Sequence, residues 1–403
     1  MKFVEREFVP VILGGDINTY SVARAFYEEY QIKTTVMGKF ESGPSFGSRI
    51  VNYITNVNID QEQTYVEQIT QFANNNKEKK IFVLGAGDNY INMIAKTRDL
   101  VPDNVIVPFI SHEQMDALQR KDYFYDLCDE VGVNYPDTLV ITKEMGLDFE
   151  VEFPYPVILK SSESIFYWDY PFEGQEKVYT IHNREELDKT IQQIYDAGYT
   201  ENLIVQDMIP GNDENMYVLT SYSDQDGKVT MMCLGHTLLE EHTPTGKGNH
   251  AVIITDYNEE LLTQAREFLE HINYVGFSNF DIKYDSRDGK YKFFEINTRQ
   301  GRSNYYVTGS GFNVAKYLVD DYIYNEKKEL EVAKEPHLWW VVPPQVAYKH
   351  VKEEENLRLM KQLVKEGKAV NPLYFKPDLP LARFARITKT YLSQIMKFNK
   401  YYK

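Results

Sequence analysis

The first hundred residues of the 403-residue chain alternate apolar runs with helical segments, and this alternation narrows the folds that the chain can adopt. The run Phe8–Leu13 stops at Gly14 and Gly15, and residues 17–30 then show helical spacing of their apolar side chains. Similar runs recur at residues 33–37, 81–84 and 104–107. Strands separated by helices predict a parallel sheet, in which ligands bind where strands end in glycine turns.

The pattern changes after residue 110. One long helix is predicted over residues 111–131, with Ser111 as its N-cap. Short strands around a helix then predict a small α+β unit that reaches residue 205, and longer strands predict a larger α+β unit at 206–325. Residues 326–403 begin with a charged connector and end in a basic tail.

Composition excludes several classes of protein. An apolar content of 43% can fill the cores of two or three domains, so a disordered chain is not expected. A net charge of −16 argues against a general nucleic-acid binder, which needs a basic surface. The two cysteines, the charged N-terminus and the lack of a long apolar stretch predict a cytoplasmic protein without disulfides, signal peptide or membrane span.

One strand pair carries a candidate metal site. In the segment GFSNFDIKYDSRDGKYKFFEINTRQGR, a turn separates Asp281 on the first strand from Glu295 and Asn297 on the second. Residues two apart on a strand face one side, and the hairpin can bring Asp281 level with them. Two carboxylates and an amide oxygen suit Mg²⁺ when phosphates supply the remaining ligands. The alternative is a surface hairpin with scattered acids.

Two lysines and a Pro-Gly turn could bind a nucleotide. Lys160 ends the apolar strand YPVILK, and Lys121 lies in the helix predicted before it. Each lysine either faces an anion or extends its ammonium group to solvent. In LIVQDMIPGND, backbone groups beside Met208 and Ile209 could contact adenine, and Asp213 could accept hydrogen bonds from ribose. An ordinary strand and turn is the alternative.

The order of these features resembles the ATP-grasp fold. A lysine, a strand-end lysine, a Pro-Gly hinge and then Asp and Glu-x-Asn follow one another within residues 111–325, and FFEINTRQGRS is similar to the most diagnostic stretch of that family. The resemblance implies an α/β and α+β enzyme that joins a carboxylate to an amine through an acyl-phosphate, at the expense of ATP. Its implied units are an N-terminal Rossmann-like domain (1–110), a linker helix and lid subdomain (111–205), a C-terminal catalytic subdomain (206–325) and a basic tail (326–403).

The resemblance also implies roles for individual residues. Arg299 would face the transferring phosphoryl group. Mg²⁺, or Mn²⁺ in its place, would be held by Asp281, Glu295 and Asn297. ATP would be held by Lys121, Lys160, Ser161, Gln206, Asp207, Met208, Ile209 and Asp213. The loop SSESIFYWDYPFEG departs from the glycine-rich flap of many relatives, which leaves its phosphate contacts open.

The N-terminal stretch EFVPVILGGDINTYSVARAF is similar to the D-aspartate ligases of peptidoglycan synthesis. This resemblance implies D-aspartate as the donor and the lysine side chain of a muropeptide precursor as the acceptor. Arg302 could clamp the second carboxylate of such a donor, and Lys247 and His250 in the loop EEHTPTGKGNH are further candidates. A structural salt bridge and a solvated loop are the alternatives. The acceptor, the stereochemistry of the donor and the oligomeric state, including a homodimer, stay open.

The sequence leaves three alternative functions to compare with a D-aspartate ligase. A ligase for another amino acid or a dipeptide would use the same site. A nicotinamide dehydrogenase is disfavoured, because neither Gly14 and Gly15 nor Gly85–Ala86–Gly87 has the spacing of a dinucleotide-binding turn. A non-catalytic ATP sensor would not need Arg299 together with a metal triad.

The tail stands apart in charge. Residues 376–403 carry seven basic residues and one acid, so the remaining 375 residues have a net charge of −22. Apolar residues recur there at intervals of three and four, which predicts a basic amphipathic helix. Such a helix could lie on the anionic inner surface of a membrane or dock on the acidic body of the same chain.

Overall fold

The computed structural model describes residues 1–243 and 246–402, apart from the side chains of residues 164 and 165. Its N-terminal strands are β1 (Phe8–Leu13), β2 (Thr34–Gly38), β3 (Val51–Thr55), β4 (Lys80–Gly85) and β5 (Val105–Ile106). They form one parallel sheet in the order β3-β2-β1-β4-β5, as predicted. The helices of this domain are α1 (Ile17–Tyr30), α2 (Glu62–Asn74) and α3 (Asp88–Lys96).

The turn between β1 and α1 sets the carboxyl edge of this sheet. Gly14 has a φ of +129°, a conformation that glycine adopts without steric cost. Asp16 is the N-cap of α1, and its side chain accepts a hydrogen bond from the Thr19 amide. The turn therefore faces the same edge as the glycine turn after β4, where α3 begins.

Two helices lead from this domain to a small sheet. They are α4 (His112–Gln119) and α5 (Lys121–Val131). The single helix predicted over residues 111–131 is wrong, because Arg120 is extended, with ψ of 120°. The break puts Lys121 at the first position of α5, where its amide donates to the Ser162 carbonyl at 3.1 Å. This contact is between elements distant in sequence, so local helical spacing does not reveal it.

The small sheet is antiparallel and forms the predicted α+β unit. Its strands are β6 (Thr138–Ile141), β7 (Val157–Ser161), β8 (Tyr179–Ile181) and β9 (Leu203–Asp207), in the order β6-β9-β7-β8. The helices α6 (Ser164–Tyr167) and α7 (Arg184–Asp196) belong to this unit. It has a hydrophobic core of its own, separate from the main core of the molecule.

The largest sheet has eight strands. They are β10 (Met216–Ser223), β11 (Val229–Glu240), β12 (His250–Asp256), β13 (Gly276–Asp285), β14 (Lys290–Asn297), β15 (Glu331–Val332), β16 (Leu338–Trp340) and β17 (Ala369–Val370). Their order is β14-β13-β10-β11-β12-β16-β17, and β15 pairs with β11. The helices α8 (Glu259–His271), α9 (Tyr305–Gly309) and α10 (Val314–Tyr322) accompany them. One core joins this sheet to the N-terminal domain.

The last seventy residues pack on this framework. Their helices are α11 (Pro344–His350), α12 (Glu354–Lys365) and α13 (Leu381–Tyr401), and a 3₁₀ turn at Lys376–Asp378 precedes α13. Earlier in the chain, 3₁₀ turns occur at Arg98–Leu100, Lys143–Met145 and Asp213–Asn215. One face of α13 is docked, since Ile387 and Phe398 are buried and the Tyr391 hydroxyl donates to the Val342 carbonyl at 2.7 Å. In the described part of the chain, none of the helices has the length and hydropathy needed to cross a membrane.

Candidate active site

The hairpin β13–β14 places the three candidate metal ligands together. Asp281 pairs directly with Glu295 across the two antiparallel strands, and Asn279 pairs with Asn297. The Asn297 side-chain amide donates to Asp281 Oδ2 at 3.2 Å. The predicted register is therefore observed, and the two carboxylates and the amide share one side of the hairpin.

The two carboxylates of this hairpin differ in their electrostatic surroundings. Burial, followed by the adjacent Glu295, raises the pKa of Asp281. Burial also disfavours the Glu295 carboxylate, but Lys121, Lys177 and Lys160 outweigh it and lower the pKa of Glu295. Glu295 is thus the carboxylate that stays ionised without a metal, and a divalent cation would allow both to ionise.

The donor set fits a magnesium ion that shares its ligands with phosphates. Within residues 1–243 and 246–402, no three or more His, Cys, Asp or Glu side chains converge as a metal cage. Two carboxylate groups and one amide fill only part of an octahedral shell, which suits Mg²⁺ bound to phosphate oxygens rather than a closed protein site.

Lys160 is held by a polar network inside the small sheet. Its ammonium group donates to the Tyr125 hydroxyl and to Gln206 Oε1, both at 3.0 Å. Gln206 in turn donates to the Thr138 hydroxyl at 2.7 Å. Burial lowers the pKa of Lys160 to about 8, an effect that Glu295 opposes. The ammonium group therefore points inward, toward the space in front of the hairpin, rather than to solvent.

Lys121, at the start of α5, extends its side chain toward the hairpin β13–β14. Its Nζ lies 3.8 Å from Glu295 Oε2. Burial lowers the pKa of Lys121 to about 8, and Glu295 partly offsets this. Two buried cations on α5 and β7 thus face two partly buried acids on β13 and β14. A bound polyphosphate with Mg²⁺ would neutralise this arrangement.

The hinge after β9 contains the candidate adenine contacts. Met208 is partly exposed and Ile209 is buried, and the Ile209 carbonyl accepts a hydrogen bond from Lys283 Nζ at 2.9 Å. The Asp207 carboxylate is already engaged, because Arg287 Nη1 donates to it at 3.2 Å. Asp207 could therefore contact a nucleotide through its backbone, while its side chain ties β9 to the turn of the hairpin.

Asp213 begins the 3₁₀ turn that follows the hinge. Its carboxylate accepts a hydrogen bond from the Glu240 amide at 3.0 Å, and His242 Nε2 lies 2.9 and 3.1 Å from its two oxygens. Beside it, burial raises the pKa of Glu240 to about 8, with Asp213 adding to the effect. Asp213 is thus fixed beside the hinge and remains a candidate acceptor for hydrogen bonds from a ribose.

The two candidate arginines both meet protein carboxylates. Arg299 Nη2 donates to Asp88 Oδ2 at 3.0 Å, which links β14 to the start of α3 in the N-terminal domain. Arg302 places two guanidinium nitrogens at 3.4 Å from Glu241 Oε1. Asp16 lies near enough to both arginines for each to lower its pKa, although burial, the larger effect, raises it.

Three remaining candidates occupy less informative places. Ser161 is buried at the end of β7, next to Lys160. Lys247 is exposed, in a loop of which residues 244 and 245 lie outside the described residues. His250 Nδ1 lies 3.2 Å from the Ser303 hydroxyl, and burial together with the charge of Arg302 lowers the pKa of His250 to about 4.

Several residues of the site were not foreseen from the sequence. Tyr125 follows Lys121 by four positions on α5, so helical spacing could have placed it on the same face. Lys283, Arg287, Asp88 and Glu241 act through contacts between separate elements. Local sequence patterns do not predict contacts of this kind.

Residues 121–319 match the family model described as the ATP-binding domain of the carbamoyl-phosphate synthase L chain. The crystal structure of N5-carboxyaminoimidazole synthetase from Staphylococcus aureus with ADP superposes with a TM-score of 0.59 at 14% identity, over 84% of this chain and 83% of that one. The biotin carboxylase domain of 2-oxoglutarate carboxylase from Hydrogenobacter thermophilus, a dimer with MgADP and bicarbonate, gives 0.59 at 16% identity, over 81% and 72%. Fold and site together define an ATP-grasp enzyme.

A relative of known function identifies the family within the ATP-grasp enzymes. The D-aspartate ligase of Enterococcus faecium (strain Aus0004) is 37% identical over 416 aligned residues, which cover 100% of this chain and 99% of that protein. The chain therefore belongs to the D-aspartate ligase family of ATP-grasp enzymes. It is an ATP-dependent ligase that joins a carboxylate to an amine.

Proposed function

We propose that this ligase activates the β-carboxylate of D-aspartate and joins it to the lysine side-chain amine of a peptidoglycan precursor. The observation that carries the ATP-dependent step is the hairpin of Asp281 and Glu295 opposite the buried Lys121 and Lys160. The name of the 37%-identical relative supports D-aspartate as donor. Mg²⁺, held by Asp281, Glu295 and Asn297, would supply charge neutralisation at the phosphates.

The site can lower the repulsion between two anions. An oxygen of the donor carboxylate attacks the γ-phosphorus of ATP, the bond to ADP breaks, and an acyl-phosphate forms. Lys121 and Lys160 offset the negative charge of the phosphates in a site shielded from water, where each charge counts for more than in solvent. The acceptor amine then attacks the acyl carbon, inorganic phosphate leaves, and the nitrogen releases one proton.

A dianionic donor fits the surroundings of the two arginines. Arg299 follows the hairpin β13–β14 and can contact the donor carboxylate that reacts. Arg302 can hold the second carboxylate of the donor with two parallel N–H groups. Lys247 adds positive charge from the neighbouring loop. Since Asp88 and Glu241 already occupy the arginines, the donor would share or displace these contacts.

A donor panel tests the proposal. Phosphate release with ATP and Mg²⁺ should require D-aspartate and a nucleotide-linked pentapeptide that contains lysine, and mass spectrometry should find one added aspartyl residue on the lysine amine. L-Aspartate, D-glutamate and D-alanine serve as matched donors. Preference for any of these would leave the ligase assignment standing and reject D-aspartate. An Arg302→Lys variant should bind aspartate more weakly and ATP almost normally.

The proposal includes contact with an anionic membrane surface through α13, at the inner face of the cytoplasmic membrane. The outward face of this helix exposes Leu381 (87%) and Met396 (70%), together with Leu392. Lys389 and Lys400 flank this stripe and are exposed. Apolar side chains between lysines complement a bilayer with anionic headgroups.

Co-sedimentation with vesicles tests this part separately. Binding to vesicles that contain anionic phospholipid should exceed binding to purely zwitterionic vesicles, and Leu392→Glu with Met396→Glu should abolish the difference. Equal partitioning of wild type and variant would reject the membrane contact. Light scattering during chromatography would at the same time decide between a monomer and the homodimer that the sequence left open.

A further inference from the structure

The 3₁₀ turn Asp213–Asn215 is anchored from outside the nucleotide site. The Glu214 side chain is buried, and its carboxylate accepts hydrogen bonds from the Glu353 amide at 3.1 Å and from Asn356 Nδ2 at 2.7 Å. The Lys352 amide also donates to it. Glu353 is the N-cap of α12, so an acid from the turn satisfies the first donors of a C-terminal helix.

A second contact reaches the same turn from the end of the chain. His242, which binds the Asp213 carboxylate, has its ring 4.4 Å from the ring of Tyr402. Tyr402 is itself fixed, because its hydroxyl donates to the His350 carbonyl at 3.2 Å and its ring lies 4.4 Å from that of His350. Residues 352–356 thus hold Glu214 directly, whereas Tyr402 acts on Asp213 only through His242.

The segment before the turn needs such support. Pro210 and Gly211 join β9 to the turn, and Gly211 has a φ of +109°, so this link is not held by strand pairing. His236 Nε2 lies 2.7 Å from the Glu214 carbonyl and provides one contact within the large sheet. The Asp213 carboxylate is bound by the Glu240 amide on β11 and by His242, whose ring lies against Tyr402. The Glu214 carboxylate is bound by the loop before α12 and by Asn356 on α12.

We propose that the C-terminal residues 344–402 position the nucleotide hinge, with Glu214, His242, Asn356 and Tyr402 as positioning residues. This rests on the proposed binding of the adenosine part of ATP between Met208 and Asp213. A turn held in its binding conformation loses less freedom when the ligand arrives, so the free energy of binding is more favourable. The positioning residues do not contact ATP, and they act through the orientation of Asp213.

The test uses two half-buried residues of the C-terminal segment. Asn356→Ala removes one donor to Glu214, and Tyr402→Ala removes the ring behind His242, whereas Tyr402→Phe keeps that ring. ATP affinity, measured by calorimetry well below the melting temperature, should fall on the order of 5-fold or more in both alanine variants. It should be retained in Tyr402→Phe. In both alanine variants kcat at saturating ATP should stay near that of the wild type, and KM for ATP should rise.

Arg358→Ala is the matched control, because Arg358 lies on the same α12 and its ion pair is with the exposed Glu354. It should leave KM for ATP unchanged. If Asn356→Ala and Tyr402→Ala lose thermal stability but bind ATP as the wild type does, the contacts are merely structural and the inference is wrong. If the wild type itself does not bind ATP, the proposed function fails instead.

Discussion

Glu295 is a partly buried acid that stays charged because three lysines lie near it. The pKa of Glu295 is lowered, against the effect of burial, by Lys121, Lys177 and Lys160. The pKa of its partner Asp281 is raised by burial and by Glu295. Pairs of acids with opposed environments are typical of catalytic and metal-binding sites. The opposite pKa shifts of Glu295 and Asp281 therefore support a binding site for a divalent cation.

Replacing Glu295 tests the metal site. Glu295→Gln keeps the shape of the side chain and removes the charge, so turnover should fall by about 100-fold or more, as for other groups that stabilise transition-state charge. The measurement is Mg²⁺-dependent phosphate release, with circular dichroism to check the fold. Asp288→Asn is the control, since Asp288 lies in the turn of the same hairpin and pairs with Lys292. Near-normal turnover of Glu295→Gln would rule out the assignment.

The pH dependence of ATP binding should report on Lys160 and Lys121. Burial lowers the pKa of each to about 8 in the free protein. Bound phosphates favour the protonated form, so the complex holds more protons than the free protein above pH 8. ATP affinity should therefore weaken as pH rises through 8 and level off below it. Calorimetry at constant ionic strength measures this, and Lys160→Gln should bind weakly with a flatter profile. A profile in Lys160→Gln as steep as that of the wild type would contradict the prediction.

At the scale of elements, the sequence predicts the strands and the hairpin better than the contacts between elements. The bounds of β1 and α1 agree with their apolar spacing, and the level pairing of Asp281 with Glu295 follows from the two-residue period of strands. β3 was missed because only Val51 at its start is buried, so its pattern is weak. The role of Arg287 depends on how β9 meets the hairpin, which no local pattern encodes.

Arg287 joins two of the elements that enclose the site. It donates to Asp207 at the end of β9 and to Asp285 at the end of β13. Arg287→Ala would leave the buried Asp207 without its partner, so stability should fall by about 1–3 kcal/mol, with weaker ATP binding. Urea denaturation measures the first effect and calorimetry the second. Lys290→Ala is the control, because Lys290 is exposed at the start of β14 in the same hairpin. Unchanged stability of Arg287→Ala would mean that the pair contributes nothing at the hinge.

Across the whole molecule, the C-terminal segment binds back to the N-terminal domain. Asp378 is fully buried and accepts hydrogen bonds from the Tyr20 hydroxyl at 2.9 Å, the Ser48 hydroxyl at 2.6 Å and the Arg49 amide at 2.6 Å. Arg383, on α13, has its Nε 3.6 Å from the same carboxylate and donates to the Phe46 carbonyl at 3.3 Å. The loop held in this way also packs on Gly15, since the Ser45 amide donates to its carbonyl.

A double-mutant cycle measures this connection. Asp378→Asn leaves Arg383 as a buried cation without its anion, and removing one partner of a buried ion pair costs about 3–5 kcal/mol. Arg383→Met should cost less, because Asp378 keeps three hydrogen-bond donors from the N-terminal domain. The double variant should be more stable than the sum of the two losses implies, since the unpaired charge is then absent. Chemical denaturation gives all three free energies of unfolding. Additive losses would mean that Asp378 and Arg383 stabilise the protein independently, and the tail would then be attached to the N-terminal domain by separate contacts rather than by one charged cluster.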